Sequence, residues 1–293
     1  MNKKTPYILI MPIVLLGVIF MFGVINGIIQ SFGYIPAFNL VNVTLSYYKE
    51  ILSDPTFLDS LKVSLQISII SSVLAVVLGT ILTAVLTYTG HTEGRILQVI
   101  KLAIIIPHAI VALFTISMFS QNGLLARVFY KLGLINTQGS FPLLLYTKNN
   151  LGIILSYMWK EIPFVAYFSL ALMSGVNKTL GEASENLGAS KLKTFFYIVL
   201  PLSMPAIRKA FLIILTFSFG AYDLPFLLGA TVPKALPVQA HIEYIHPDLR
   251  HRPYTMAING LMLAITWIMA GIYYLVTKKN KVAGDIHEEF QIE

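Results

Sequence analysis

The chain has 293 residues, 56% of them apolar and only 12% charged, about half the roughly 25% charge usual in soluble domains. That composition excludes an ordinary soluble domain and leaves room for about six membrane-spanning helices with their loops. The net charge of +7 rests on 21 basic residues scattered along the chain and mostly flanking apolar runs, which is a topology signal and not a nucleic-acid surface, and the lack of cysteine excludes disulfides, thiol catalysis and Cys-ligated metal.

The predicted elements follow in chain order. A first span, residues 7–29, comes after Asn2-Lys3-Lys4. Its apolar run is too long for a cleaved signal segment and no small-x-small site ends it, so it reads as an uncleaved anchor. Residues 30–60 form a polar loop with Asp54, Pro55 and Asp59. A second span, 63–88, is followed by a short loop with Gly90, His91, Glu93, Gly94 and Arg95, and then by a third span, 100–121. Residues 123–132 repeat apolar side chains at helical spacing, with Arg127 and Lys131 four apart on another face, the pattern of a short helix lying in the membrane interface. A fourth span, 151–175, a loop over 177–201, a fifth span, 205–230, a sixth, 256–277, and a polar tail, 278–293, complete the chain. Barrel strands would be alternating segments of roughly ten residues; continuous apolar runs of helical length argue instead for an all-α integral membrane protein with six transmembrane helices.

Lys and Arg counts set the orientation. With the N-terminus inside, the cytoplasmic side carries twelve of them, among them Lys3, Lys4, Arg95, Lys101, Lys178, Lys191, Lys193, Arg208 and Lys209; the outside carries eight, among them Lys49, Lys148, Arg250 and Arg252. Both termini are expected in the cytoplasm.

The loop over 177–201 carries the most information. Thr179-x-x-Glu182 has the form of a capping box, which puts Glu182 and Glu185 near the positive end of a short helix. Leu180, Ala183 and Leu187 share one stripe of that helix; Glu182, Glu185 and Asn186 share another. Gly188 is placed to end the helix in the left-handed conformation. A second amphipathic run, Leu192, Phe195, Phe196 and Val199, follows, and Pro201 and Pro205 are expected to mark the turn into the fifth span. Two short helices broken at a glycine, with small and apolar side chains in a rim of charge, suit docking into a groove of another protein.

Read as a pattern, Glu182-Ala183-Ser184-x3-Gly188-x9-Ile198-x-Leu200-Pro201 resembles the EAA signature of the inner-membrane permease subunits of binding-protein-dependent ABC importers. Ser184 stands where that family often has Ala, a small-for-small change. Six helices with this loop before the penultimate span look like the type I ABC importer permease fold. Ile106-Pro107-His108-Ala109, Gly123 to Arg127, Gly220 to Gly229, Ala235 to Val238 and Met256 to Asn259 look like the putative spermidine/putrescine branch. The resemblance covers residues 60–277 and is specific for fold and role but not for cargo.

It implies a division of labour. An extracytoplasmic solute-binding protein captures the solute, two permease subunits form the path, and two cytoplasmic ATP-binding subunits hold ATP and Mg and do the hydrolysis. The EAA helix enters a cleft of one ATPase, so Glu182, Ala183, Ser184, Leu187, Gly188, Ile198, Leu200 and Pro201 are the expected coupling residues. This chain then catalyses nothing and binds no cofactor of its own; it has no G-x-x-x-x-G-K-[ST] phosphate loop. It is half a pathway in the bacterial cytoplasmic membrane, its partner permease a different homologue. An independent channel or secondary transporter is the alternative, and leaves the EAA segment unexplained. A membrane-embedded enzyme would need converging carboxylates or histidines near one interface, and no such spacing occurs.

Lys160 and Glu161 in the fourth span and Asp223 in the fifth are charges at membrane depth, each a functional-site candidate by default. At 1.5 Å per residue Lys160 lies about 14 Å and Asp223 about 10 Å below the outer ends of their spans. They are expected to pair or to line an aqueous cavity, the alternative being an ion pair that fixes helix packing. Trp159 is a path candidate that would stack on a cationic solute or simply pack the span. Pro163 and Pro225 each follow a charge by two positions and bend their helices. His108 reads as a packing residue. His241, His246 and His251 with Glu243 and Asp248 do not share a helical face, so no metal site is expected. Asp223 and the aromatics suit a polyamine-like cation; Lys160 points the other way, and thiamine, ferric iron or an organophosphonate stay open as cargo.

Overall fold

The computed structural model describes residues 5–278. They form thirteen α-helices joined by short 3₁₀ and π-turns; the extended pairing among the described residues is one isolated bridge between Ile35 and Leu40. Asn2-Lys3-Lys4 and the tail beyond Lys278 lie outside the described residues. Five helical stretches are long and apolar enough to cross a membrane: Leu9–Ser31, Pro55–Tyr88, His108–Lys131, Lys191–Gly220 and Leu249–Thr277. A sixth long helix, α7 (Leu151–Val176), carries Lys160 and Glu161 at its middle, and that pair of charges lowers its apolar character. The chain is an all-α, multi-pass membrane protein.

The chain divides into two compact units. The first takes in the N-terminal stretch to Asp59 and Leu236–Trp267. Its helices are α1 (Thr5–Ser31), α2 (Ser46–Ser53), α12 (Leu236–Tyr244) and the first half of α13 (Arg252–Lys278). Tyr254 donates its hydroxyl to Glu50, Tyr47 meets Tyr254 edge-on at 4.9 Å, and Tyr48 shares a 2.7 Å hydrogen bond with Ser31.

The second unit, Ser60–Ala235 with the chain from Ile268 on, holds the membrane core. It contains most of α3 (Pro55–Tyr88), then α4 (Arg95–Ile105), α5 (His108–Phe119), α6 (Leu124–Lys131), α7, α8 (Glu182–Asn186), α9 (Lys191–Thr194), α10 (Leu200–Gly220) and α11 (Asp223–Leu228). Helix α7 packs chiefly on α10 and α4. The helices approach closely because small residues line the contacts. Ser60, Ser64, Ser68, Ser71 and Ser72 of α3 are all buried, and Thr83 of α3 bonds Ser169 of α7 at 3.0 Å. Two apolar clusters stack along this seam. One is Ala75, Val165, Ala210 and Ile214; the other is Met173, Val199 and Ile207.

The spans are less regular than the apolar runs predict. The expected third span, 100–121, breaks at Ile106-Pro107 into α4 and α5. Pro107 has no N–H to continue the ladder and pushes Ile106 into an extended conformation (φ −61°, ψ 128°). The expected fifth span, 205–230, breaks at Ala221-Tyr222. Pro225 cannot donate to the Ala221 carbonyl, so the chain restarts as α11. Pro225 therefore lies in the first turn of a new helix and not within a continuous one, whereas Pro163 does lie inside α7.

Candidate functional site

The loop between α7 and α10 is built as two helical arms. The first arm runs on from α7 through a π-turn, Asn177–Gly181, into α8. No capping box forms: the Thr179 hydroxyl donates back to the Gly175 carbonyl at 3.0 Å, because the helix never stops there and leaves no free N–H to cap. The arm ends at Gly188 (φ +93°) in a Schellman motif, with Ala189 N–H on the Ser184 carbonyl at 3.1 Å and Gly188 N–H on the Glu185 carbonyl at 2.9 Å. The real N-cap belongs to the second arm, where the Ser190 hydroxyl accepts from Lys193 N–H at 3.4 Å.

The second arm, α9, passes through another π-turn, Phe195–Val199, into α10. Pro201 and Pro205 thus lie within a continuous helical run and do not mark a turn. The π-turn supplies the slack: Pro201 cannot donate to the Tyr197 carbonyl, and the widened turn just before it takes up the missing bond.

Two contacts lock the arms together. Ser184 and Thr194 share a hydrogen bond of 3.1 Å, so the Ser at the third position of the EAA pattern ties the arms as well as being small. At the base the π-turns pack on each other over Gly181, where a Cβ would come within 3.4 Å of Val199. The inner face joins the Met173, Val199 and Ile207 cluster, with Ile198 and Leu200 half-buried beside it. The outer face is apolar and bare: Leu187 is 90% exposed and Leu192 72%. Glu182, Ala183, Gly188 and Pro201 are exposed on the same loop. Gly181 escaped the sequence reading because a buried glycine and an exposed one look alike in a sequence.

At membrane depth, Lys160 and Glu161 are both buried, at 9% and 4% exposure. The expected Lys160–Asp223 pair does not form. Lys160 donates its ammonium to the Ile106 carbonyl, which the break at Pro107 has released at the negative end of α4. Asp223 stands exposed in the first turn of α11. Trp159 packs on Phe114 with ring centroids 6.0 Å apart. His108 opens α5 and tilts over Phe217 at 5.2 Å. It lines a cavity of about 200 Å³ with Lys160, Glu161, Phe164, Ile213 and Phe217.

In the first unit, the His246 and His251 rings stack at 3.7 Å. Their five-residue spacing would not do this on a helix, but α12 ends at Tyr244 and the chain turns back. His251 Nδ1 lies 3.5 Å from Glu243. Asp248 grips Arg250 through two oxygens, and that hydrogen-bonded guanidinium holds the Asp248 carboxyl down at about 2.

The comparisons with known proteins agree with this architecture. Residues 67–281 match the family described as binding-protein-dependent transport system inner membrane component. The chain is 25% identical over 200 residues to the spermidine/putrescine transport system permease protein PotB of Salmonella typhimurium, covering 66% of this chain and 67% of that protein. It is 26% identical over 226 residues to the sn-glycerol-3-phosphate transport system permease protein UgpA of Agrobacterium fabrum, covering 76% and 75%. A chain from the crystal structure of a bacterial alginate ABC transporter in complex with an alginate pentasaccharide-bound periplasmic protein superposes with a TM-score of 0.76 at 17% identity, covering 95% of each. That last likeness is one of fold, and the solutes named differ widely. The family pattern spans most of the chain, from within α3 to just past α13, and this chain belongs to the inner-membrane permease components of binding-protein-dependent ABC importers.

Proposed function

We propose that this permease forms half of an ATP-driven import path in the bacterial cytoplasmic membrane, both termini inside, and that the loop between α7 and α10 docks on one of two ATP-binding subunits. The observation that carries the coupling role is a braced loop with a bare apolar tip. Leu187 and Leu192 are exposed, while the Ser184–Thr194 bond and the Gly181 contact fix to each other the two arms that run on into α7 and α10. A push on the tip then reaches α10 and α7, the helix that carries Lys160 and Glu161. ATP and Mg belong to the partner subunits, the solute arrives from an extracytoplasmic binding protein, and the second permease is a different homologue. The cargo is polyamine-like, supported by the PotB likeness and by the tying down of Lys160 on a backbone carbonyl. A free-standing channel would have no use for such a loop.

Co-purification with the soluble ATPase tests the coupling. Gly188→Asp puts a side chain and a charge at the left-handed tip, and Glu182→Lys reverses charge on α8; each should cut recovery of the ATPase at least tenfold, by ~1.4 kcal/mol or more. Full recovery with both variants rejects the docking role. For orientation, Ser140→Cys should label from outside intact cells and Asn2→Cys only after permeabilisation; equal labelling from outside rejects the topology.

A further inference from the structure

The stretch His108–Lys131 breaks after Phe119, and α6 leaves α5 at Gly123, where a Cβ would stand 2.7 Å from the Met118 carbonyl oxygen. Two rows run side by side along α6 and its C-cap. Leu124, Val128 and Leu132 recur every fourth residue, and all three are exposed; Arg127 and Lys131, also exposed, form the next row. The chain then folds back on the helix. Gly133 takes φ +71°, with its N–H on the Tyr130 carbonyl at 3.0 Å and Leu134 N–H on the Phe129 carbonyl at 2.9 Å, a Schellman turn. Gln121 anchors the returning segment by donating to the Phe141 carbonyl at 3.2 Å, and Phe129 meets Phe141 edge-on at 5.9 Å. An open groove of about 540 Å³ is left between them, with Arg127, Tyr130 and Lys131 on one side and Ile135, Thr137 and Gln138 on the other.

The groove suits negative charge. Arg127 Nε donates to the Asn122 carbonyl at 3.1 Å, which fixes the guanidinium and leaves its other N–H groups for an acceptor. The ion pairs among the described residues involve neither Arg127 nor Lys131, and the chain has no Asp or Glu between Glu93 and Glu161. A soluble anion would use the two cations alone. Here they border a bare apolar row at the end of a membrane-crossing stretch, with the exposed Tyr130 beside them, and tyrosine is enriched at headgroup level. A phosphate for the cations and an acyl chain for the apolar row is the chemistry of a phospholipid. We infer that this groove holds the headgroup of an anionic phospholipid, its phosphate on Arg127 and Lys131 and its acyl chains along Leu124, Val128 and Leu132.

Retention of fluorescent phosphatidylglycerol by the purified full chain in detergent is the test, with phosphatidylcholine of the same acyl chains as reference. The wild type should prefer phosphatidylglycerol. Arg127→Gln combined with Lys131→Gln should weaken that retention at least about tenfold, and Lys131→Arg should keep it. Lys131→Gln alone, which leaves the Arg127–Asn122 bond in place, should lose part of it, so that a disturbed loop is not mistaken for lost binding. Equal retention of the two lipids by the wild type, or unchanged retention in the double variant, overturns the site. Displacement of the lipid by inorganic phosphate also overturns it, by making the groove a plain anion site. So does a double variant that keeps its lipid but loses the solute-binding protein from the assembled importer, which would make the groove a docking face for an acidic protein.

Discussion

Replacing Gly181 with valine should uncouple ATP hydrolysis from uptake while leaving the chain in the membrane. Gly181 is buried where the two π-turns meet, and a Cβ there would come 2.6 Å from Asn177 Oδ1 and 3.4 Å from Val199 Cγ2. Asn177 can yield, since its Oδ1 has no hydrogen-bond partner to lose. Val199 cannot, because it is fully buried among Met173 and Ile207. The branched side chain must therefore lift the first arm off the second, at the ~1–3 kcal/mol typical of overpacking. That strain falls on the link between the loop tip and α10, not on the bundle. Gly181→Ala should be mild, and milder still with Asn177→Ala, since alanine meets only the yielding neighbour closely. Uptake and ATP hydrolysis measured on the assembled importer decide it. At least a tenfold loss of uptake is expected for valine, with the protein still recovered from membranes; normal uptake would show that the π-turn contact does not carry the coupling.

The sequence and the structure diverge where backbone geometry depends on a neighbour. Long apolar runs point to helices because burial in lipid demands them whatever the partner, though two of the expected spans are each broken into two helices. Gly188 was legible because a left-handed helix end is a local property. The capping box at Thr179 failed for a tertiary reason: α7 continues through the loop's first arm, so the position that looked like a helix start is a helix interior. Proline signals were ambiguous in the same way. Pro107 and Pro225 break their helices, while Pro163 and Pro201 are carried within continuous runs, and nothing in the dipeptides distinguishes them. Lys160 and Glu161, read as charges at membrane depth, are both buried, but the partner of Lys160 was not readable. The carbonyl that holds Lys160 is left free only because another helix ends at Ile106, and Asp223, chosen by depth, lies exposed beyond the helix break between α10 and α11.

Replacing Gly79 with leucine should have the largest effect on stability, because there the clash is with fixed atoms. A Cβ at Gly79 of α3 would stand 2.7 Å from Val165 Cβ, 2.9 Å from Val165 Cγ1 and 3.0 Å from the Ile162 carbonyl of α7. None of these is the free end of a flexible side chain, so relief requires the helices to separate. One turn along, separation breaks the Thr83–Ser169 hydrogen bond, worth ~0.6 kcal/mol between membrane helices. One turn back, it opens the cluster of Ala75, Val165, Ala210 and Ile214. With overpacking at ~1–3 kcal/mol, Gly79→Leu should lower the melting temperature in detergent and the yield from membranes. Gly79→Ala should do the same to a smaller extent, unlike the mild Gly181→Ala. Adding Val165→Ala should recover part of the loss and not all, since it removes the Cγ1 contact but leaves the Cβ and carbonyl contacts in place. An unchanged melting temperature in Gly79→Leu would mean that α3 and α7 are not held at this crossing, and that the seam linking the loop to the Glu161 cavity is softer than its packing implies.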